Sequence, residues 1–220
     1  MSGGYKPAKT GVNGVINEFN KIKSRLNELE RPNTLLPTLS GGSTVYGLAG
    51  YTNYVAGNYY HLTPTAKANI STTANTIYIH PIAITKTTTF TKFGSYVSTP
   101  GGSGTGYGAI YSANANGSPN AKIYGDFAFV NTANAGFQEI TGQTITLSAG
   151  IYWLALVATG ASPLAFTSAS TSIFLPFIPA VTNSSTNILG YSATGFAGTL
   201  PATWTSTTTI TSAPIVYLGL

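Results

Sequence analysis

The sequence predicts a mainly β protein: a jelly-roll-like antiparallel β-sandwich head preceded by a short N-terminal α-helical coiled coil. Three observations predict it. Only 7% of the 220 residues are charged and 12% are aromatic; Thr, Val and aromatic side chains favour strands, while Gly, Asn and Pro supply turns. Beyond residue 75, short apolar runs alternate with turn signals at close, fairly even spacing, as sandwiches require. Near the front, Val12, Val15, Phe19, Ile22, Leu26 and Leu29 fall at alternating spacings of three and four. That is an a/d heptad seam, which a helix must bury against partner helices.

Residues 1–11 read as a flexible arm, because Gly3, Gly4, Pro7 and Gly11 interrupt any regular structure. Residues 12–31 are the expected coiled-coil stalk, ended by Pro32. Gly14 weakens its first turn by about 1 kcal/mol relative to alanine. With Val12 at position a, the g and e positions hold Glu18, Arg25, Lys23 and Glu30. Parallel packing pairs Glu18 with Lys23 and Arg25 with Glu30, both of opposite sign, whereas antiparallel packing sets g against g. Each exposed ion pair contributes only about 0–1 kcal/mol, so these charges select orientation more than they stabilise. Ile16 at position e widens the apolar stripe, and bulky Phe19 occupies a core position, which favours a homotrimer. The competing reading is a single amphipathic helix packed on its own domain. A helix of about 20 residues is marginal alone, so the heads are expected to help hold the oligomer together.

Residues 32–75 form a connector rich in Pro, Gly, Leu and Tyr, expected to pack on the head, which spans 76–220. Thr76–Thr85 and Thr87–Val97 read as strands, the first interrupted by Pro81, which marks an edge or bulge. The Gly-rich segment Pro100–Gly106 reads as a loop and Tyr107–Ser112 as a strand. Asn114–Pro119 carries the Asn-Gly turn signal. Strands follow at Ala121–Val130, Gly136–Ile140 and Gln143–Leu147. Ile151–Ala158 is apolar on both faces and therefore a central strand. The last expected strands are Thr171–Phe177, Thr207–Thr211 and Ile215–Leu220.

The net charge of +5 is unevenly placed. Residues 1–31 carry Lys6, Lys9, Lys21, Lys23, Arg25 and Arg31 against three glutamates; residues 32–220 carry Lys67, Lys86, Lys92 and Lys122 against Asp126 and Glu139. A near-neutral head argues against a nucleic-acid partner. There is no cysteine, so disulfides and thiolate metal sites are excluded. Met1–Gly11 lacks an apolar h-region, so no secretory signal and synthesis in the cytoplasm are expected. Ile151–Ala158, the longest apolar run, is too short for membrane insertion.

The titratable residues of the head offer little for catalysis. Asp126 and Glu139 are the one carboxylate pair available to a glycosidase, and His80 before Pro81 reads as a packed structural histidine. Gly101–Gly108 lacks the Gly-Lys-Ser/Thr of a phosphate loop, and no serine sits in a nucleophile elbow. No catalytic residue, metal site or cofactor is therefore expected. Aromatics among Ser, Thr and Asn can stack on sugar rings; the connector tyrosines Tyr46, Tyr51, Tyr54, Tyr59 and Tyr60 qualify by composition. Tyr107, and Trp204 in a Pro/Thr-rich loop, are the candidate glycan contacts, whereas Trp153 reads as core.

The chain from about Tyr60 to Gly160 resembles a β-sandwich module of tailed-phage virion proteins. The resemblance is carried by Tyr78-Ile79-His80-Pro81-Ile82, Thr87–Phe93, Gly108–Ser112 with the following turn, Gly136–Ile140, and Leu147–Ala155. Leu200–Trp204 and the apolar C-terminus extend it to about three quarters of the chain. Its motifs are turn and core patterns, and it brings no catalytic residue. It implies a virion protein of the head-fibre or tail-fibre type, with a capsid decoration or cement protein as the alternative. In that setting Tyr5, Lys6 and Lys9 of the arm would anchor the protein to a phage capsid or tail protein, and the heads would adsorb to a host-surface glycan.

Overall fold

The computed structural model describes residues 53–61, 67–101, 104–131, 133–159, 164–170 and 188–220. All belong to the second of the two units into which the chain divides, Met1–Leu36 and Pro37–Leu220. The arm with Tyr5, Lys6 and Lys9, the heptad seam with its flanking charges, the connector up to residue 52 and the expected strand Thr171–Phe177 lie outside the described residues.

The described chain is mainly β. Its strands are β1 (Tyr59–Tyr60), β2 (Lys67–Thr72), β3 (Thr76–Ile84), β4 (Thr88–Phe90), β5 (Lys92–Thr99), β6 (Thr105–Ala113), β7 (Pro119–Asn131) and β8 (Gly136–Ile140). They continue with β9 (Ile145–Leu147), β10 (Gly150–Ala158), β11 (Leu164–Ser170), β12 (Gly190–Thr194), β13 (Thr208–Ile210), β14 (Ser212–Pro214) and β15 (Val216–Gly219). A six-stranded sheet runs β13-β12-β3-β10-β6-β7. A seven-stranded sheet runs β1-β15-β5-β11-β14, with β2 added to β11 and β8 to β5. The strands β4 and β9 form a small third sheet. Every ladder is antiparallel.

Strand β10 explains the layering. It lies between β3 and β6, and its side chains alternate between two separate cores. Leu154, Leu156 and Ala158 pack with Ile82, Ile84, Ile110 and Phe127 against Phe93, Val97, Val216 and Leu218 of the seven-stranded sheet. The two large sheets share this core, an arrangement consistent with a β-sandwich. Ile151, Trp153, Ala155 and Val157 point the other way, where Leu189, Phe196, Leu200, Trp204 and Ile215 cover them. The centre of the six-stranded sheet is thus buried on both faces, which is why Ile151–Ala158 is continuously apolar. The small sheet contributes Phe90, Ile145 and Leu147 to the first core.

Two expectations need correction. Thr87–Val97 is not one strand: the chain breaks at Thr91, sending Thr88–Phe90 to β9 and Lys92–Thr99 into the seven-stranded sheet. Pro81 does not sit in an edge strand, since β3 has β12 on one side and β10 on the other. However, β12 pairs only with Thr76–Ile79, so at Pro81 the ladder described is the one to Trp153 on β10. A proline is tolerated there because pairing on the β12 side has already ended. Gly190 marks the end of that pairing. A Cβ at Gly190 would run into the Ile79 carbonyl, so only glycine lets β12 approach β3 so closely.

Candidate functional site

The face of the seven-stranded sheet turned away from the shared core carries a compact aromatic cluster. On β5, Phe93, Ser95 and Val97 are buried inward, so the strand period sets Lys92, Gly94 and Tyr96 outward. The registers Tyr96↔Phe137, Gly94↔Glu139, Tyr217↔Gly94 and Tyr59↔Gly219 place side chains from β1, β8 and β15 on the same face. Tyr59 packs on Phe137 at 4.6 Å between ring centroids, and Phe137 on Tyr217 at 5.3 Å. His61 meets the edge of Tyr217 at 4.9 Å. Tyr96 and Phe137 remain 40% and 37% exposed, which puts them among the few exposed large apolar side chains of the described head. Gly219 is needed beneath this cluster: a Cβ there would lie 2.9 Å from the Tyr59 ring and 3.0 Å from Lys92 Cβ.

A polar chain crosses the same face. Tyr59 donates its hydroxyl to Glu139 Oε2 at 2.7 Å, and Lys92 Nζ donates to the Tyr59 oxygen at 3.3 Å. The ammonium also lies 5.2 Å from the Tyr59 ring centroid, a cation–π contact. The bond to Tyr59, then the nearby Glu139 charge, raise the Lys92 pKa above its ordinary value. Two of the head's few charges are therefore tied to each other through a tyrosine.

Trp204 does not occupy the surface position expected of it. It is 6% exposed, its indole N–H donates to the Ser206 carbonyl at 2.8 Å, and its ring meets Tyr111 edge-on at 6.0 Å. Local composition misplaced it, because the segment between β12 and β13 folds back over the second core. Even so, Trp204 and Tyr191 border a cleft of about 380 Å³ that also involves Asn114, Ser118 and the run Thr205–Thr207. Tyr107 is in strand β6 opposite Val157, half-buried and stacked on Phe196 at 5.2 Å. Trp153 is fully buried and donates its indole N–H to the Gly117 carbonyl at 2.9 Å.

The cover is strapped down by β7. Asp126 accepts the Leu200 N–H at 2.8 Å and the Lys122 ammonium at 2.7 Å, and Lys122 also donates to the Leu200 carbonyl at 2.8 Å. Tyr111 adds a hydroxyl bond to the Pro201 carbonyl at 2.8 Å. Burial opposes ionisation of Asp126, but the bonds from Lys122 and Leu200 outweigh it and hold its pKa below the ordinary carboxylate value. Burial pushes the Tyr111 hydroxyl well up.

The carboxylates weighed for glycosidase chemistry are separated by this architecture. Asp126 belongs to β7 in the six-stranded sheet and holds Leu200; Glu139 belongs to β8 in the other sheet and holds Tyr59. His80 is a packed histidine, 2% exposed. Its Nε2 accepts the Val216 N–H at 3.2 Å, and its Nδ1 faces the Pro81 carbonyl at 3.4 Å. These partners fix a neutral ring with the proton on Nδ1. Burial, with a further contribution from the His61 charge, lowers its pKa from 6.5 to about 4, against the opposing bond to Pro81. Among the described residues no three His, Cys, Asp or Glu side chains converge as metal ligands do.

In comparisons with known proteins, no family model and no curated protein matches the chain.

The outer aromatic face was not singled out from sequence, although its signal is present. Lys92-Gly94-Tyr96 and Tyr217-Gly219 alternate with buried residues at period two, and Phe137 and Glu139 stand two apart on β8. What sequence alone lacks is the register that assembles four strands into one patch.

Proposed function

We propose that the chain is a structural subunit of a tailed-phage virion: a homotrimeric fibre or spike, anchored by its N-terminal arm, whose heads point outward and adsorb to a host-surface glycan. The head is read as a jelly-roll-like sandwich and residues 12–31 as its parallel coiled-coil stalk. The observation that carries the proposal is the heptad seam Val12–Leu29 with opposite-sign flanking charges, followed by a head that is nearly free of charge. So short a bundle needs further contact between heads, and the exposed Tyr96–Phe137 pair supplies apolar surface suited to that task.

The test is sedimentation of the purified full chain, which should give a trimer at micromolar concentration; a monomer would overturn the stalk. Deleting residues 1–11 should leave folded trimers that no longer join particles, and retained incorporation would overturn anchoring by the arm.

A second reading, a capsid cement protein, is favoured by the same exposed aromatic face, which would suit a head lying flat on a protein lattice. Loss of a cement protein lowers the heat or osmotic resistance of particles, whereas loss of a fibre leaves it unchanged.

A further inference from the structure

We infer that the cleft between the Asn114–Pro119 turn and the Trp204–Thr209 segment is a binding site for a neutral saccharide. Its volume, about 380 Å³, falls within the usual range for small-molecule sites. Its base is aromatic and apolar, formed by Trp204, Tyr191, Pro119 and Ile188, and its rim is formed by exposed Thr205, Thr207, Thr209 and Asn114. Sugars present the same division, an apolar C–H face edged by hydroxyls that both donate and accept. Threonine hydroxyls and an asparagine amide also do both.

Among the described residues that line the cleft there is no Asp, Glu, Lys, Arg or His. A sialic acid, uronic acid or phosphate entering it would lose hydration without gaining a counter-charge, so the wall chemistry selects uncharged rings. The base is preorganised, which limits the entropy cost of binding. The Trp204 N–H groups are held by the Asn120 and Ser206 carbonyls, each at 2.8 Å. Tyr191 rests on Trp153 at 5.5 Å, and Ser206 Oγ is bonded to the Ser192 carbonyl.

The rival occupant is an extended peptide added to β13, an end strand of the six-stranded sheet. With three residues, β13 is a short template for strand addition. Moreover, the period-two placement of Thr205, Thr207 and Thr209 sets hydroxyls, not apolar sockets, along the rim. Both observations favour the sugar.

The inference deepens the adsorption part of the proposed function and rests on it only for the biological setting. Full-length protein labelled with 5-fluorotryptophan carries two reporters, because the chain has two tryptophans; a Trp153→Phe variant assigns their ¹⁹F signals. Titration with neutral gluco-, galacto- and manno-oligosaccharides should move the Trp204 signal saturably and leave Trp153 in place, while sialyllactose moves neither. A Thr207→Val/Thr209→Val double variant should melt as the parent does and bind at least tenfold more weakly. The inference is overturned if no neutral sugar on a glycan array or in the titration binds at millimolar concentration. It is equally overturned if binding survives the double variant unchanged, if acidic sugars bind as well, or if Thr-rich extended peptides bind in place of sugars. Particles that lack the protein yet adsorb normally would sink the adsorption reading while leaving sugar binding by the purified chain intact.

Discussion

His80 connects the two large sheets through an uncharged imidazole, accepting a backbone N–H from Val216 on β15 while sitting on β3. The unfolded chain takes up a proton at His80 near pH 6.5, which the folded chain refuses until about pH 4. Stability from this residue is therefore complete above pH 6.5 and falls as the pH drops towards 4, by on the order of 3 kcal/mol. Denaturant midpoints measured from pH 7.5 to 4 should trace that decline. In His80→Leu the decline should flatten, at a fixed cost of about 1–3 kcal/mol from the unpaired Val216 N–H. Gly190 is the second residue on which the fold turns. Gly190→Ala drives a methyl group into the Ile79 carbonyl and should destabilise by about 1–3 kcal/mol, seen as a fall in thermal midpoint. A packed role for His80 was legible in the sequence, because a histidine inside an apolar strand before proline has few alternatives. The burial of Trp204 was not legible, since its Pro- and Thr-rich neighbours resemble a surface loop.

Strand boundaries follow local pattern along the buried centre of the six-stranded sheet and at β8, and fail where pairing partners change or, as at β11 and β12, where the apolar pattern is weak. Gly136–Ile140 and the core of Ile151–Ala158 stand where the apolar pattern puts them. Thr87–Val97 reads as one strand because nothing in TTTFTKFGSYV signals a stop. The division at Thr91 comes from long-range bonds, with the Thr91 N–H donated to the Gly219 carbonyl and the Thr91 carbonyl accepting from Gln143. Pairings of such sequence separation leave no local trace. The strap from β7 belongs to this scale as well. Asp126→Ala removes the acceptor of the Leu200 N–H. Hydrogen exchange at Leu200 should then accelerate relative to the β10 amides, with less effect on global stability; unchanged exchange at Leu200 would refute the strap.

At the scale of the molecule, the composition gave the β class, but not the fact that one sheet is covered on both faces. That second cover is made mainly by the segment between β12 and β13, which brings Phe196, Leu200 and Trp204 over the sheet, with Leu189 before β12 and Ile215 between β14 and β15 beside them. The outer aromatic face also emerges only at this scale, since four strands distant in sequence supply it. A Tyr96→Ser/Phe137→Ser double variant should keep its secondary structure, because both side chains are substantially exposed. If heads associate through this face, the variant should dissociate at higher concentration than the parent by sedimentation equilibrium. An unchanged association constant would place head–head contact elsewhere.

The pairing of charges within the head reaches beyond structure into kinetics. Lys122 is neutralised by Asp126, and Lys92 is joined to Glu139 through Tyr59. Four of the six charged side chains in residues 32–220 thus close their fields on one another within a few ångströms, so little potential extends past a Debye length of about 8 Å. Encounter with any partner at the head is then unsteered, with an on-rate near the neutral scale of about 10⁵–10⁶ M⁻¹s⁻¹. Raising the salt from 50 to 500 mM should leave that on-rate within a factor of about two, so that any binding by the head would proceed about as fast in fresh water as in brine.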